Sequence, residues 1–137
     1  MTHLIVRIDL GEAGRIGPGK MLLLEKIAEH GSISAAGRAM GLPYRHAWEL
    51  GEQLNRAFRE PLVARQTGGR NGGGAALTPL GEALLAEMVG IRMDAERAVT
   101  RRLNAIDVAL RRSEKDAADA SPRSTASDCQ KMPGGKR

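Results

Sequence analysis

From His3 to Leu10 apolar and polar positions alternate. Leu4, Val6, Ile8 and Leu10 share one side, and Arg7 and Asp9 share the other with Ile5. This is the two-residue period of a half-buried strand. A glycine-rich loop, Gly11 to Gly19, follows. Pro18 suits the start of a helix, and Leu23, Leu24, Ile27 and Ala28 supply its buried stripe. Glu25, Lys26 and Glu29 are expected in solvent, and His30 and Gly31 close the helix.

The stretch from Gly31 to Leu54 reads as a short helix, a tight turn and a second helix. Ser34 is expected to cap the first, its hydroxyl accepting from an amide one turn on. Ala35, Ala36, Gly37 and Ala39 keep that helix thin enough for another to cross it closely. Gly41 sits where the chain must turn, a place that often demands a positive φ. Pro43 then belongs to the first turn of the next helix. There Ala47, Leu50, Gly51, Leu54 and Phe58 share one face, with Tyr44 and Trp48 on its flank. The opposite face carries Arg45, His46, Glu49, Glu52, Gln53 and Arg56. One buried stripe and one mixed polar face are what a DNA-recognition helix requires. The same spacing also suits an αα-hairpin in any helical domain, so the neighbouring segments decide.

Those neighbours are a hairpin and a long helix. Pro61 to Thr67 and Ala75 to Thr78 read as strands joined by a tip of glycines around Arg70 and Asn71. The tip suits a wing, because glycine lets the backbone approach a phosphate and one Arg can enter the minor groove. A nucleotide-binding loop would need a helix directly after the glycines, and here a strand follows. A plain flexible hairpin is the remaining alternative. Thr78 and Pro79 then open a helix with apolar residues at Leu80, Leu84, Met88, Ile91, Ala95, Val99, Leu103, Ile106 and Leu110. It would be close to 50 Å long at about 1.5 Å per residue. A domain of this size cannot cover such a stripe. From Ile91 onward the helix needs a partner, and the same helix of a second copy is the economical one. The rival is a bent helix folding back on its own domain. From Ser113 to Arg137 hardly a large apolar residue remains, and this tail is expected to be disordered. The expected division is therefore 1–112, with a dimerisation helix over about 79–112, and 113–137.

Composition narrows the partners. The net charge of +5 favours a polyanion, and the near-balanced charges of the tail leave most of the excess on the folded part. One Trp, one Tyr and one Phe offer too few stacking platforms for a single-stranded nucleic acid binder. Double-stranded DNA is the expected partner. Cys129 is the one cysteine, so no intramolecular disulfide can form, and a reducing cytoplasm fits. No apolar run is long enough for a membrane span, and the N-terminus has no signal-peptide pattern. His3, His30 and His46 lie far apart, and none stands at metal spacing from Cys, Asp or Glu. Ser32 and Ser34 have no base partner in a nucleophile motif, and capping is their expected work. Glu49 and Glu52 are expected to accept from cytosine amino groups or to hold nearby Arg side chains. No enzyme activity, cofactor or metal is expected.

Gly31-Ser-Ile-Ser, Tyr44-Arg-x-Ala-Trp48, Leu62-Val-x-Arg65, Thr67-Gly-Gly-x-x-Gly-Gly-Gly-Ala-x-Leu-Thr78 and Gly81 together resemble the N-terminal DNA-binding domain of the molybdate-responsive regulator family, ModE. The pattern Arg65…Leu77-Thr78-x-x-Gly81 alone is shared with LysR-type regulators. The resemblance covers about Leu4 to Arg111. It implies a mainly α fold with a small β wing, a winged helix–turn–helix dimerised through a long C-terminal helix, and binding to a palindromic operator. The DNA-contacting set is then Ser34, Arg38, Tyr44, Arg45, His46, Glu49, Gln53, Arg65, Arg70 and Asn71. The dimerisation set is Leu84, Met88, Ile91, Ala95, Val99, Leu103, Ile106 and Leu110. Full-length family members add β-barrel modules that bind molybdate. No such strand pattern follows the long helix here, so molybdate binding is not expected of this chain. A transcriptional regulator tied to molybdenum or oxyanion metabolism is the leading reading. The alternatives are a winged-helix dimer that binds another protein, which loss of Arg45 or Arg70 would leave intact, and a direct molybdate binder, which equilibrium dialysis would reveal.

Overall fold

The computed structural model describes residues 2–66 and 73–111. They fall into two units, His3–Thr100 and one formed by the N-terminal Thr2 with Arg101 onward. In the second unit the Thr2 hydroxyl donates to Asp107 Oδ1 at 2.8 Å.

The first unit begins with a short antiparallel pair, β1 (Ile8–Asp9) and β2 (Arg15–Ile16), in which Ile8 faces Ile16 and Asp9 faces Arg15. Burial alternates from His3 to Leu10 as the sequence implies. The ladder, however, is two residues long, not eight. β2 can offer no more, since Pro18 starts a helix two residues later and has no N–H to pair.

Helix α1 (Pro18–His30) buries Met21, Leu23, Leu24 and Ile27. Ala28, expected in that stripe, is exposed. It lines an open groove with Leu77, Leu85 and Val89, which its methyl is too short to close. Glu25 is half-buried, with a carboxylate oxygen 3.7 Å from Arg92. Gly31 ends α1 in the left-handed region, at φ 76°, and its N–H donates to the Ile27 carbonyl. Helix α2 (Ile33–Met40) therefore starts earlier than expected. Ser32, in extended conformation, is its N-cap, and the Ser32 hydroxyl accepts from the Ala35 N–H at 3.0 Å. Ser34 is not the cap. Beginning the helix ahead of Ile33 is what turns that side chain into the core.

Gly41 stops α2 at φ 73°, and α3 (Tyr44–Ala57) begins after Pro43. Pro43 stands at the cap position, its carbonyl accepting from the Ala47 N–H at 3.1 Å. The wing strands β3 (Val63–Gln66) and β4 (Gly74–Leu77) pair antiparallel, from Val63 opposite Leu77 to Gln66 opposite Gly74. The Ala75 N–H donates to the Gly31 carbonyl at 2.8 Å, tying β4 to the end of α1. The largest fully buried side chains are Leu23, Leu24, Ile27, Leu54 and Leu62, so α1, α3 and the base of the wing share one core.

Helix α4 (Pro79–Ala109) is 31 residues long, about 46 Å. The Thr78 hydroxyl caps it, accepting from the Gly81 N–H at 2.9 Å while donating to the Pro61 carbonyl at 2.8 Å. The first turn then crosses the Leu62 backbone with no room for a side chain. A Cβ at Gly81 would lie 2.2 Å from the Leu62 carbonyl oxygen. Gly81→Ala should therefore lower stability by about 3 kcal/mol or more, because backbone on both sides must move. Gly90→Ala, in the same helix but with nothing within 4 Å of its Cβ, should raise stability by roughly 0.5–1 kcal/mol. Thermal melts of the two variants check both.

Candidate nucleic-acid interface

The candidate surface is set by how closely α2 and α3 cross. A Cβ at Gly37 would lie 3.2 Å from that of Ala47 and 3.3 Å from the Leu42 carbonyl oxygen. Small residues on both helices bring them to this range, which fixes the rotation of α3 about its axis. Ala47, Gly51 and Leu54 point inward and are buried, and Leu50 and Phe58 pack against the core. The other face is left open. Tyr44, Arg45, His46, Glu49, Gln53 and Arg56 are all exposed.

The open face is ordered by its own charges. Arg45 Nε lies 3.7 Å from Glu49 Oε2, one helical turn on. Tyr44, Arg45, Trp48 and Glu49 line a shallow cleft of about 280 Å³. On α2, Ser34 and Arg38 are exposed, and Arg38 Nη1 donates to the Ser34 hydroxyl at 2.9 Å. Of the expected DNA contacts, Ser34 and Arg38 thus form one pair, and Tyr44, Arg45 and Glu49 share one cleft.

Arg65 has a different setting. It projects from β3 back to α3, where Nη2 lies 2.7 Å from Glu52 Oε2 and the guanidinium carbon sits 5.0 Å from the centre of the Trp48 ring. This three-residue arrangement could not be read from the sequence. The only hint was that Trp48 and Glu52 stand four apart on one helix, and nothing said that a strand residue would reach them. Arg70 and Asn71, at the expected wing tip, lie outside the described residues, as do Cys129 and the expected disordered tail.

The expected dimerisation stripe divides. Met88 is buried in the domain's own core and Leu84 packs against that core, which leaves little of either for a partner. Ala95, Val99 and Leu103 are half-buried, whereas Ile91, Ile106 and Leu110 are exposed. No helix among the described residues is long and apolar enough to cross a membrane.

Residues 19–82 match the family model for bacterial regulatory helix-turn-helix proteins of the lysR family. The molybdenum-pterin-binding protein MopA of Rhodobacter capsulatus is 46% identical over 85 residues, 61% of this chain and 32% of that protein. The DNA-binding transcriptional dual regulator ModE of Escherichia coli K12 is 41% identical over 84 residues, again 61% of this chain and 32% of its own length. The molybdenum transport protein ModE of Azotobacter vinelandii is 36% identical over 109 residues, 77% of this chain and 40% of that protein.

Residues 19–82 are thus similar to a bacterial regulatory helix–turn–helix domain, and about three fifths of the chain is similar to ModE-type proteins.

The chain spans about a third of the length of the curated relatives it matches. Within the helix–turn–helix segment the two serines of α2 have separate jobs, one at the helix cap and one on the exposed face. Ser32→Ala should cost about 1 kcal/mol of stability through removal of the cap. Ser34→Ala should change stability by less than about 0.5 kcal/mol, since it removes only an exposed hydrogen bond to Arg38. Urea unfolding of both variants separates them.

Proposed function

We propose that this chain is a DNA-binding transcriptional regulator that reads a palindromic operator as a homodimer and serves genes of molybdenum or oxyanion metabolism. One observation carries the reading. Helix α3 is locked by its buried face against α2 and presents Arg45, His46, Glu49 and Gln53 together on the open one. The wing stands beside it, which is the arrangement in which a recognition helix enters the major groove. The names of the relatives support the link to molybdenum. Ser34 and Arg38 flank the helix as backbone contacts, and Arg70 and Asn71 are the proposed contacts of the wing tip. The cytoplasm is the compartment this function requires.

The dimer is proposed to form through the outer part of α4. Ile91, Ile106 and Leu110 are the large exposed members of the stripe, with Ala95, Val99 and Leu103 between them. Two copies paired there would present two reading heads, which suits half-sites one helical turn apart, roughly 34 Å. Replacing Ile91 and Ile106 together by Glu removes apolar side chains that the single chain leaves in solvent, so each domain should still fold. Sedimentation equilibrium should then report a monomer, and affinity for a palindrome should fall far more than affinity for a half-site. Equal sedimentation of this variant and the parent chain would sink the dimer.

Base reading is tested at Arg45. Its side chain is 89% exposed and near the start of α3, where it can donate twice to guanine. After recovery of bound genomic fragments defines the operator, Arg45→Ala should lose roughly 1–3 kcal/mol of discrimination at one position of each half-site. An equal loss on all sequences assigns Arg45 to a phosphate. No loss on any DNA favours the protein-interaction alternative. Molybdate binding is no part of this reading, and added molybdate should leave the operator-binding curve of this chain unmoved.

A further inference from the structure

The wing is tied to the end of α1 through β4, where the Ala75 N–H donates to the Gly31 carbonyl, but β3 has few means of holding its place against α3. In β3 only Val63 is buried, while Ala64, Arg65 and Gln66 are exposed. The base of the strand is fixed, because Asn55 of α3 accepts from the Leu62 and Val63 N–H groups and donates to the Val63 carbonyl. Beyond Val63, Arg65 is the side chain that reaches back to α3. Its guanidinium pairs with Glu52 at 2.7 Å and lies over the Trp48 ring, its carbon 5.0 Å from the ring centre. An ion pair alone leaves an Arg free to pivot. An aromatic face beneath it removes that freedom, and the flat guanidinium is suited to both partners at once. The pair is partly shielded, with side-chain exposures of 44% for Arg65 and 28% for Glu52.

We infer that Arg65 is a positioning residue, clamped between Trp48 and Glu52, that sets the angle of the wing to the recognition helix so that both meet one stretch of DNA together. The inference rests on the DNA-binding reading above and changes the part Arg65 plays in it. With its charge satisfied by Glu52, Arg65 acts through the wing and not by touching a phosphate. Such a partly exposed clamp is too weak to hold the fold but strong enough to choose among wing orientations. Without it the wing should sample more of them, and operator affinity should drop with the domain still folded.

The test uses the full chain, its selected operator and a random duplex. The variants are Arg65→Ala, Glu52→Gln, the two combined, and Arg65→Lys. Removing either side of the clamp should weaken operator binding about tenfold, and the combined variant should be no weaker than Arg65→Ala, as for residues acting as one unit. Arg65→Lys keeps the charge without the flat stack, and should recover part of the affinity. Trp48 is the one Trp in the chain, so its emission reports the clamp in the free protein. Arg65→Ala should shift that emission to the red and open it to iodide quenching, with melting temperature unchanged. Overturning results are equally distinct. If Glu52→Gln tightens binding while Arg65→Ala lowers the slope of log affinity against log salt by about one for each phosphate no longer neutralised, Arg65 binds a phosphate directly. If the parent chain selects an operator and the clamp variants bind it equally well, this inference alone fails. If the parent chain selects no duplex, the DNA-binding reading fails and the inference goes with it, whatever Trp48 reports.

Discussion

Leu62 is the residue on which the other elements converge. Its side chain is fully buried, its N–H donates to Asn55 of α3, and its carbonyl accepts from the Thr78 N–H at 2.9 Å. Its backbone is also the surface that the first turn of α4 crosses at Gly81. Helix α3, the wing and α4 therefore meet at one residue. The three are joined mainly by hydrogen bonds between the Asn55 and Thr78 side chains and backbone groups, whose geometry is stricter than that of apolar packing. This explains why the segment needs Asn55, Thr78 and Gly81 together. Asn55 supplies an acceptor and a donor that a helix otherwise lacks on its flank, Thr78 bridges a strand to a helix cap, and Gly81 leaves out the Cβ that would push the helix away.

What could be read in the sequence was what periodicity and turn chemistry record. The inward face of α3, the αL turn at Gly41, the pairing of the wing strands and the span of α4 all follow from spacing along a single element. The readings that failed depend on what stands across from an element. Ser34 and Ser32 are equally good caps by composition, and the choice between them came from the need to bury Ile33. Ala28 falls on the inward side of α1 by angle, but the groove it lines with Leu77, Leu85 and Val89 stays open and leaves it exposed. The alternation from His3 to Leu10 is real in burial, yet a ladder needs a partner strand, and β2 stops at Ile16. The surroundings of Arg65 depend on the same kind of information, since only the approach of β3 to α3 brings it onto Trp48 and Glu52.

The same placement bears on how the surface discriminates. The chain is basic overall, yet arginines on the open surface already have partners: Arg38 with Ser34 and Arg45 with Glu49. A guanidinium held by a neighbour gives up less freedom on meeting DNA than one that swings in solvent, and it arrives in a defined orientation. The neighbouring carboxylates also repel phosphate, so a poorly matched duplex gains less from simple charge attraction. On the proposed DNA-binding reading, a face built from paired charges gives up general affinity for polyanions and gains dependence on correct base contacts. In that arrangement the modest net charge is no defect. On the proposed dimeric reading, affinity that each head lacks separately would be recovered when two heads bind together, which would make the exposed stripe of α4 the complement of the paired charges on α3.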